Sequence, residues 1–225
     1  MNINKFKLLE NRYERKYTLQ AGESWKFQNF LLNHGFKRTF KNRLVNSIYY
    51  DNDDKKFFHE NINGISERIK TRLRWYDEMF NVQLELKKKS NMISWKQTFS
   101  AGLFKSFSEL QNFYKNKESI SKVSNLSGFL VKPKLLVRYI REYWESSCQN
   151  FRATVDANIE YKNIKSINLK SKGLDSDFNV LEFKYLSYKD SDFRAMINKT
   201  NFPFRMSKHS KYVSAVINLN NVYKI

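Results

Sequence analysis

Residues 67–76 alternate between cations and mostly apolar side chains, and no other feature constrains the fold of the chain as strongly. The cations share one parity, and they are Arg68, Lys70, Arg72 and Arg74. Successive side chains of a β-strand point to opposite faces of a sheet, so the pattern predicts a strand with one charged and one apolar face. Like charges along one strand face repel each other unless anions or carboxylates lie opposite them.

Five further segments show the same alternation: residues 13–19, 47–51, 82–87, 151–160 and 180–185. Closing such strands into a barrel with the charged face inward would gather the charges in a polar lumen. The same closure would leave the outer wall to pack on helices and would remove free edges. An ordinary solvated face gives a similar alternation in any single strand, and that alternative stays open.

Helical patterns are few, and they fall at residues 24–34, 107–114, 190–198 and 212–219. Ser108 is a candidate cap for the second of these helices. Residues 115–127 and 162–177 are rich in Lys, Asn, Ser and Asp, which predicts loops. Because the chain has no internal repeat and no linker-like stretch, we predict a single domain over residues 1–225. Its expected fold is α+β, an eight-stranded antiparallel barrel with helices on the outside.

The chain has a formal net charge of +19, which predicts a polyanionic partner: nucleic acid, an anionic membrane or a phosphate-rich small molecule. Its only cysteine, Cys148, excludes a disulfide framework and a thiolate zinc cluster, so we expect a reducing, cytoplasmic location. No apolar stretch approaches the length of a membrane span. The three histidines are scattered, so a catalytic metal would need carboxylate ligands, which suit Mg²⁺ or Mn²⁺.

Eight motifs occur in order along the chain: residues 12–17, 47–51, 68–76, 84–87, 139–141, 151–156, 181–184 and 207–212. They read RYERKY, SIYYD, RIKTRLRWY, LELK, YIR, FRATVD, LEFK and SKHSKY. Together they resemble the catalytic domain of the vacuolar transporter chaperone (VTC) complex, a polyphosphate polymerase among the triphosphate tunnel metalloenzymes. The resemblance covers nearly the whole chain.

This resemblance implies a tunnel that binds a nucleoside triphosphate, with ATP as donor and Mn²⁺ or Mg²⁺ as cofactor. It also implies transfer of the terminal phosphate to a growing polyphosphate chain. Carried over position by position, the cations that match phosphate-binding residues are Lys16, Arg72, Arg74, Lys87, Arg141 and Arg152. Lys208 and Lys211 match a late lysine pair that contacts triphosphate and product, and Glu182 matches the metal-binding carboxylate.

Further candidates lie on the same faces or in the same motifs. Those expected to contact substrate are Arg68, Lys70, Lys184, Tyr139 and Ser210, and Glu14 and Glu85 are expected to assist Glu182 with the metal. Alternatives remain open: Glu85 and Asp156 could pair with arginines, Lys184 could support Glu182, and Asp51 could cap a turn.

The sequence departs from the wider superfamily at one position. Hydrolytic members usually open with Glu-x-Glu-x-Lys, whereas Arg12 takes the first Glu position here. A triphosphatase or NTPase in the same tunnel remains the first rival, and a non-catalytic anion carrier is another. A nucleic-acid-binding protein is more remote, because cations and apolar side chains alternate and carboxylates share the charged face. We therefore expect no nucleic acid and no membrane span, with a peripheral membrane or membrane-protein partner left open.

Overall fold

The structure is a computed structural model that describes residues 12–90, 93–200, 202 and 204–223. The strands are β1 (Arg12–Gln20), β2 (Phe36–Asp51), β3 (Arg68–Tyr76), β4 (Met79–Ser90), β5 (Ile93–Leu103), β6 (Lys132–Ser146), β7 (Arg152–Asn163), β8 (Leu174–Asp175) and β9 (Phe178–Leu186). The helices are α1 (Ser24–Asn33), α2 (Lys56–Ile62), α3 (Phe107–Lys115), α4 (Lys117–Ser127), α5 (Asp190–Lys199) and α6 (Lys211–Tyr223). Short 3₁₀ turns lie at Ile164–Ser166 and Ser187–Lys189.

The strands follow the hydrogen-bonded order β1-β9-β7-β6-β2-β3-β4-β5, and β8 pairs with β7 beside this path. The registers of β1 with β9, β9 with β7, and β2 through β5 are antiparallel. The predicted α+β class and the eight-strand antiparallel path are therefore confirmed. Among the described residues no pairing joins β1 to β5, so the word barrel describes this sheet only loosely.

Backbone contacts divide the chain into two compact units. Within the described ranges, the first unit comprises residues 12–42, 142–156 and 178–208. The second comprises residues 43–141, 157–177 and 209–223. The predicted single domain stays a prediction.

The first unit buries an aromatic core under α1. Phe27, Phe30 and Leu31 occupy one side of this helix, and they cluster with Leu181 and Phe183 of β9. The spacing of the three apolar residues fits one face of a helix with 3.6 residues per turn. The helix predicted at residues 24–34 is confirmed.

The second unit buries the apolar faces of β3 and β4 against α3. Leu73 and Trp75 of β3 are fully buried in one cluster with Leu110 and Tyr114 of α3. The helix predicted at residues 107–114 is confirmed, but its predicted cap is wrong. Ser106, rather than Ser108, has extended backbone and accepts a hydrogen bond from the backbone N–H of Glu109, as an N-cap residue does.

Two helices lie where the sequence analysis expected other structure. Residues 117–127 form α4 instead of the predicted loop. The Asn116 side chain caps this helix, and Val123 on its inner side is buried. The second helix, α2, was not predicted. Asp51 caps it, since one carboxylate accepts the backbone N–H groups of Phe57 and Phe58. The sequence analysis expected Asp51 to cap a turn, and the structure shows its carboxylate capping the first turn of a helix instead. Across the described residues, no helix combines the length and apolarity that crossing a membrane requires.

Candidate functional site

In the second unit, the charged face of β3 continues across its neighbouring strands. Antiparallel register places three rows of side chains on this face: Tyr49–Arg72–Glu85–Thr98, Ser47–Arg74–Gln83–Ser100 and Lys70–Lys87–Lys96. Residues directly opposite each other in a sheet project from the same face. The alternation in residues 67–76 therefore corresponds to a β-strand, as predicted, and the cations of this strand lie on one face of the sheet.

Glu85 fixes the orientation of Arg72 at the centre of this face. Its Oε2 accepts hydrogen bonds from Arg72, with distances of 2.7 Å to Nε and 2.6 Å to Nη2. Arg74 Nη1 lies 3.6 Å from the same oxygen, and Lys96 Nζ lies 2.5 Å from Oε1. Burial alone would raise the pKa of Glu85, but Arg72, Arg74 and Lys96 outweigh it and lower that pKa to about 2. The carboxylate is therefore ionised at neutral pH and holds the arginine fork in place.

Two buried tyrosines complete the surroundings of the arginines. Arg72 Nη1 donates to the Tyr49 hydroxyl at 3.1 Å, and Arg74 Nη2 donates to the Tyr139 hydroxyl at 3.1 Å. Arg74 Nε also donates to Ser47 Oγ at 3.2 Å. Burial would raise the pKa of the Tyr49 phenol, but Arg72, Arg74 and Lys211 outweigh it and lower the pKa below its ordinary value. The centre of this face is thus strongly electropositive.

Residues before and at the start of α6 extend the same cluster. Lys70 Nζ donates to Ser210 Oγ at 3.1 Å. The Lys211 ammonium lies 4.7 Å from the centroid of the Tyr139 ring, and the Arg141 guanidinium lies 5.2 Å from it. The structure therefore brings together eight predicted site residues in the second unit: Lys70, Arg72, Arg74, Glu85, Tyr139, Arg141, Ser210 and Lys211. Lys87 shares the row of Lys70, and Arg68 lies at the strand end, where it donates to the carbonyl of Ile65.

The first unit carries the other predicted residues on the sheet formed by β1, β9 and β7. Register places two rows on one face: Lys16–Glu182–Thr154 and Glu14–Lys184–Arg152. Lys184 Nζ lies 3.4 Å from Glu182 Oε1, as expected of a supporting cation. Ser207 donates its backbone N–H to the carbonyl of Lys16 at 2.7 Å, which places the chain just before Lys208 beside this row.

Arg152 is the most exposed of the predicted cations whose ion pairs are resolved here. Its side chain is 70% exposed, and Nε donates to Glu145 Oε1 at 3.0 Å. An exposed arginine keeps most of its hydration, so it contributes less to anion binding than a buried one. Arg152 thus lies on the predicted face of its strand, but it is exposed, whereas Arg74 is buried.

Glu182 and Thr154 offer oxygen ligands for a divalent metal. Glu182 is buried, and Thr154 Oγ1, directly across the register, is buried with no hydrogen-bond partner among the described residues. The described residues contain no cluster of three or more metal-ligating side chains. This arrangement still fits Mg²⁺ or Mn²⁺, because Mg²⁺ typically takes one or two carboxylates and completes its shell with water and phosphate oxygens.

Glu85 differs from Glu182 in its surroundings. Both oxygens of Glu85 accept from cations, Oε2 from Arg72 and Oε1 from Lys96. Its position therefore agrees with the alternative that Glu85 pairs with arginines. Glu14 is exposed and lies opposite Lys184. Asp156 is fully buried opposite Val180.

Three residues of the second-unit cluster were missed by the sequence analysis. Tyr49 was assigned only to a strand face, and Ser47 likewise. Lys96 was missed because β5 was not predicted, although Lys96, Thr98 and Ser100 alternate with Trp95, Phe99 and Ala101. That alternation was the available signal.

Comparison with known proteins places this geometry in a family. The VTC domain profile matches residues 11–220. A candidate adenylate cyclase from Vibrio parahaemolyticus has a similar fold, with 12% identity, a TM-score of 0.53, and coverage of 92% of this chain and 98% of that chain. A candidate adenylyl cyclase from Hippeastrum, described as having a dominant triphosphatase activity, gives 12% identity, a TM-score of 0.49, and coverage of 92% and 96%. No curated protein matches significantly.

The structural likeness at these identities shows the fold alone, whereas the family profile spans nearly the entire chain. The family match supports an enzyme that acts on triphosphates, in keeping with the cation face of the second unit. The predicted resemblance is confirmed: the chain belongs to the VTC domain family.

Proposed function

We propose that this protein is a metal-dependent polyphosphate polymerase that transfers the terminal phosphate of ATP to a growing polyphosphate chain. In this reaction an oxygen of the acceptor's terminal phosphate forms a bond to the γ-phosphorus. The bond between that phosphorus and the β–γ bridging oxygen breaks, and ADP leaves with the bond's electron pair. The proposal rests on the family match and on the cations of the second unit.

The observation that supports it most directly is the fixed Arg72 fork. Glu85 engages Nε and Nη2, while Nη1 donates to Tyr49. An arginine held in one rotamer binds phosphate oxygens without first losing conformational freedom. Because phosphoryl transfer requires mainly positioning and charge neutralisation, a pre-oriented cation face is the principal demand on the protein.

The acceptor in this proposal needs no activation by a side chain. A terminal phosphate is already ionised at neutral pH, so transfer to it requires no general base. The lysines of the face, Lys70, Lys87 and Lys211, supply mobile point charges that can follow phosphates of either substrate.

We assign the divalent metal to Glu182, with Thr154 beside it and Glu14 as a further candidate. A bound Mg²⁺ or Mn²⁺ would supply Lewis-acid polarisation of phosphate oxygens. Lys16 lies opposite Glu182 and Lys184 contacts it, so both place positive charge beside the buried carboxylate. Glu85 is assigned to orienting Arg72 instead of binding metal.

A triphosphatase or NTPase on the same face is the alternative. The polymerase is favoured by Arg12, which stands where hydrolytic relatives usually have a glutamate and lies exposed at the start of β1. Nucleic-acid binding receives no support from the aromatic residues of the face. Tyr49 and Tyr139 are 5% and 1% exposed, so their rings are too buried to stack on bases.

The deciding experiment incubates purified protein with ATP and Mn²⁺, resolves polyphosphate on a stained gel and assays free phosphate in parallel. We expect chains to form with wild type and to be lost with Arg72→Ala. Arg43→Ala is the matched control, because Arg43 pairs with Asp77 and stacks over Tyr76 in the same unit. Free phosphate without chains would establish the hydrolase instead. The absence of both products would contradict both activities.

A further inference from the structure

The hydroxyl of Tyr49 has an unused proton at the centre of the cation face. A guanidinium has donors and no acceptor, so in the bond from Arg72 Nη1 the phenol oxygen accepts. The phenol proton remains, and among the described residues no acceptor receives it. Tyr49 is 5% exposed as a whole residue, so its ring is buried and its hydroxyl is held at the cation face by Arg72.

Neighbouring side chains hold this phenol in one position. The Tyr212 ring stacks on the Tyr49 ring, with centroids 5.3 Å apart and an interplanar angle of 24°. Arg72 fixes the oxygen from the other end. A rigid aromatic donor loses little conformational entropy when it binds a ligand.

The charges around Tyr49 define what its proton can bind. Arg72, Arg74 and Lys211 all interact electrostatically with the phenol. A donor within such a positive field binds an anionic oxygen far more strongly than a neutral one. Arg72 is bound to Tyr49 directly, so an anion that accepts from Tyr49 would also lie close to this guanidinium.

We infer that Tyr49 is a phosphate-binding residue, which donates its hydroxyl proton to an oxygen of the triphosphate held by Arg72. The inference deepens the proposed function and rests on it. It assigns to Tyr49 a direct contact with substrate, beyond its place in the sheet.

The adjacent residue provides a matched control. Tyr50 is also buried, at 2% exposure, and its hydroxyl has no hydrogen-bond partner among the described residues. It points to the opposite face of β2 and lies in the apolar cluster with Leu73 and Tyr114. Phenylalanine at position 49 or 50 therefore removes one buried hydroxyl from the same strand, and only position 49 faces the cations.

The experiment measures binding of inorganic tripolyphosphate by calorimetry, without metal and at fixed ionic strength. We expect Tyr49→Phe to raise Kd about tenfold or more, as for a lost hydrogen bond to a charged group. Tyr50→Phe should leave Kd within about twofold of wild type. Urea unfolding of both variants verifies that each is folded.

Equal affinity in Tyr49→Phe and wild type would overturn the inference while leaving the cation face intact. An equal loss in both variants would also overturn it, because the effect would then follow from the fold. If wild type binds no tripolyphosphate, the proposed function fails together with the inference. If wild type binds but makes no polyphosphate, the polymerase proposal fails and the role of Tyr49 in anion binding is still decided by the comparison.

Discussion

The hydroxyl of Tyr212 donates to Asp51 Oδ2 at 2.6 Å, and both residues are buried in the second unit. The same carboxylate accepts the backbone N–H groups of Phe57 and Phe58, at 2.9 and 3.0 Å. One side chain therefore connects the first turn of α6 to the first turn of α2. Lys211 immediately precedes Tyr212, so this bond also helps to fix the backbone from which the Lys211 side chain extends.

Tyr212→Phe is expected to reduce the free energy of unfolding by about 1.5–3 kcal/mol, since it removes a buried hydrogen bond to a carboxylate. Tripolyphosphate affinity should fall several-fold as Lys211 gains freedom. Urea unfolding and calorimetry measure the two effects. Tyr188→Phe, at a residue 71% exposed, is the control and should change neither. Unaltered stability in Tyr212→Phe would contradict the importance of this bond.

Stability should depend on pH through Glu85. Its pKa is about 2 in the folded protein, below the value of an unfolded glutamate, so the folded state binds its proton less readily. The resulting stabilisation is present above about pH 4.5 and is lost as pH falls toward 2. The contribution is about 3 kcal/mol. Urea unfolding between pH 7 and pH 3 measures the part of this contribution that is lost by pH 3, and Glu85→Gln should reduce the slope of the unfolding free energy against pH. An identical slope in the variant would show that other carboxylates dominate.

Glu182→Gln is expected to keep the fold and to abolish metal-dependent turnover, because it removes a buried carboxylate suited to the metal. The variant should lose Mn²⁺ binding. Its affinity for tripolyphosphate, measured without metal, should change little. Glu23→Gln alters a part-exposed carboxylate at the start of α1, paired with Lys26, and is the control for the lost charge. Wild-type turnover in Glu182→Gln would remove the metal assignment.

Arg72→Ala and Arg152→Ala should differ in their effect on ATP binding. Arg72 is oriented by Glu85, so its loss should raise Kd at least tenfold. Arg152 is 70% exposed and pairs with Glu145, so its loss should raise Kd by no more than about threefold. Calorimetry with ATP compares them directly. A larger loss for Arg152 than for Arg72 would contradict the ranking by burial.

Several strands in both units could be predicted because each has one apolar and one charged face, whereas β5 and β6 were not predicted. The period-two pattern located β1, β3, β4, β7 and β9 to within a few residues. The first half of β2 was missed, since residues 37–42 are exposed and show no apolar parity. Composition misled the assignment of α4, where Lys, Asn and Ser outnumber the apolar residues that mark its buried side.

The candidate site was predictable to the extent that strand phase places side chains on a face. Phase put Arg72, Arg74 and Lys70 together, and the structure brings them together. Phase cannot reveal burial or pairing, so it could not separate the buried Arg74 from the exposed Arg152. It also could not show that Glu85 would be occupied by three cations, because Lys96 comes from a strand that was not predicted.

Alternate side chains of β3 lie on the cation face and in the core. Neighbouring residues of this strand are therefore under different selection, one for binding and the next for stability. In a library of single substitutions across this strand, changes at Thr71, Leu73 and Trp75 should lower the amount of soluble protein. Changes at Lys70, Arg72 and Arg74 should leave more protein but less activity per molecule. Abundance and specific activity plotted along β3 would then oscillate out of phase with a period of two residues.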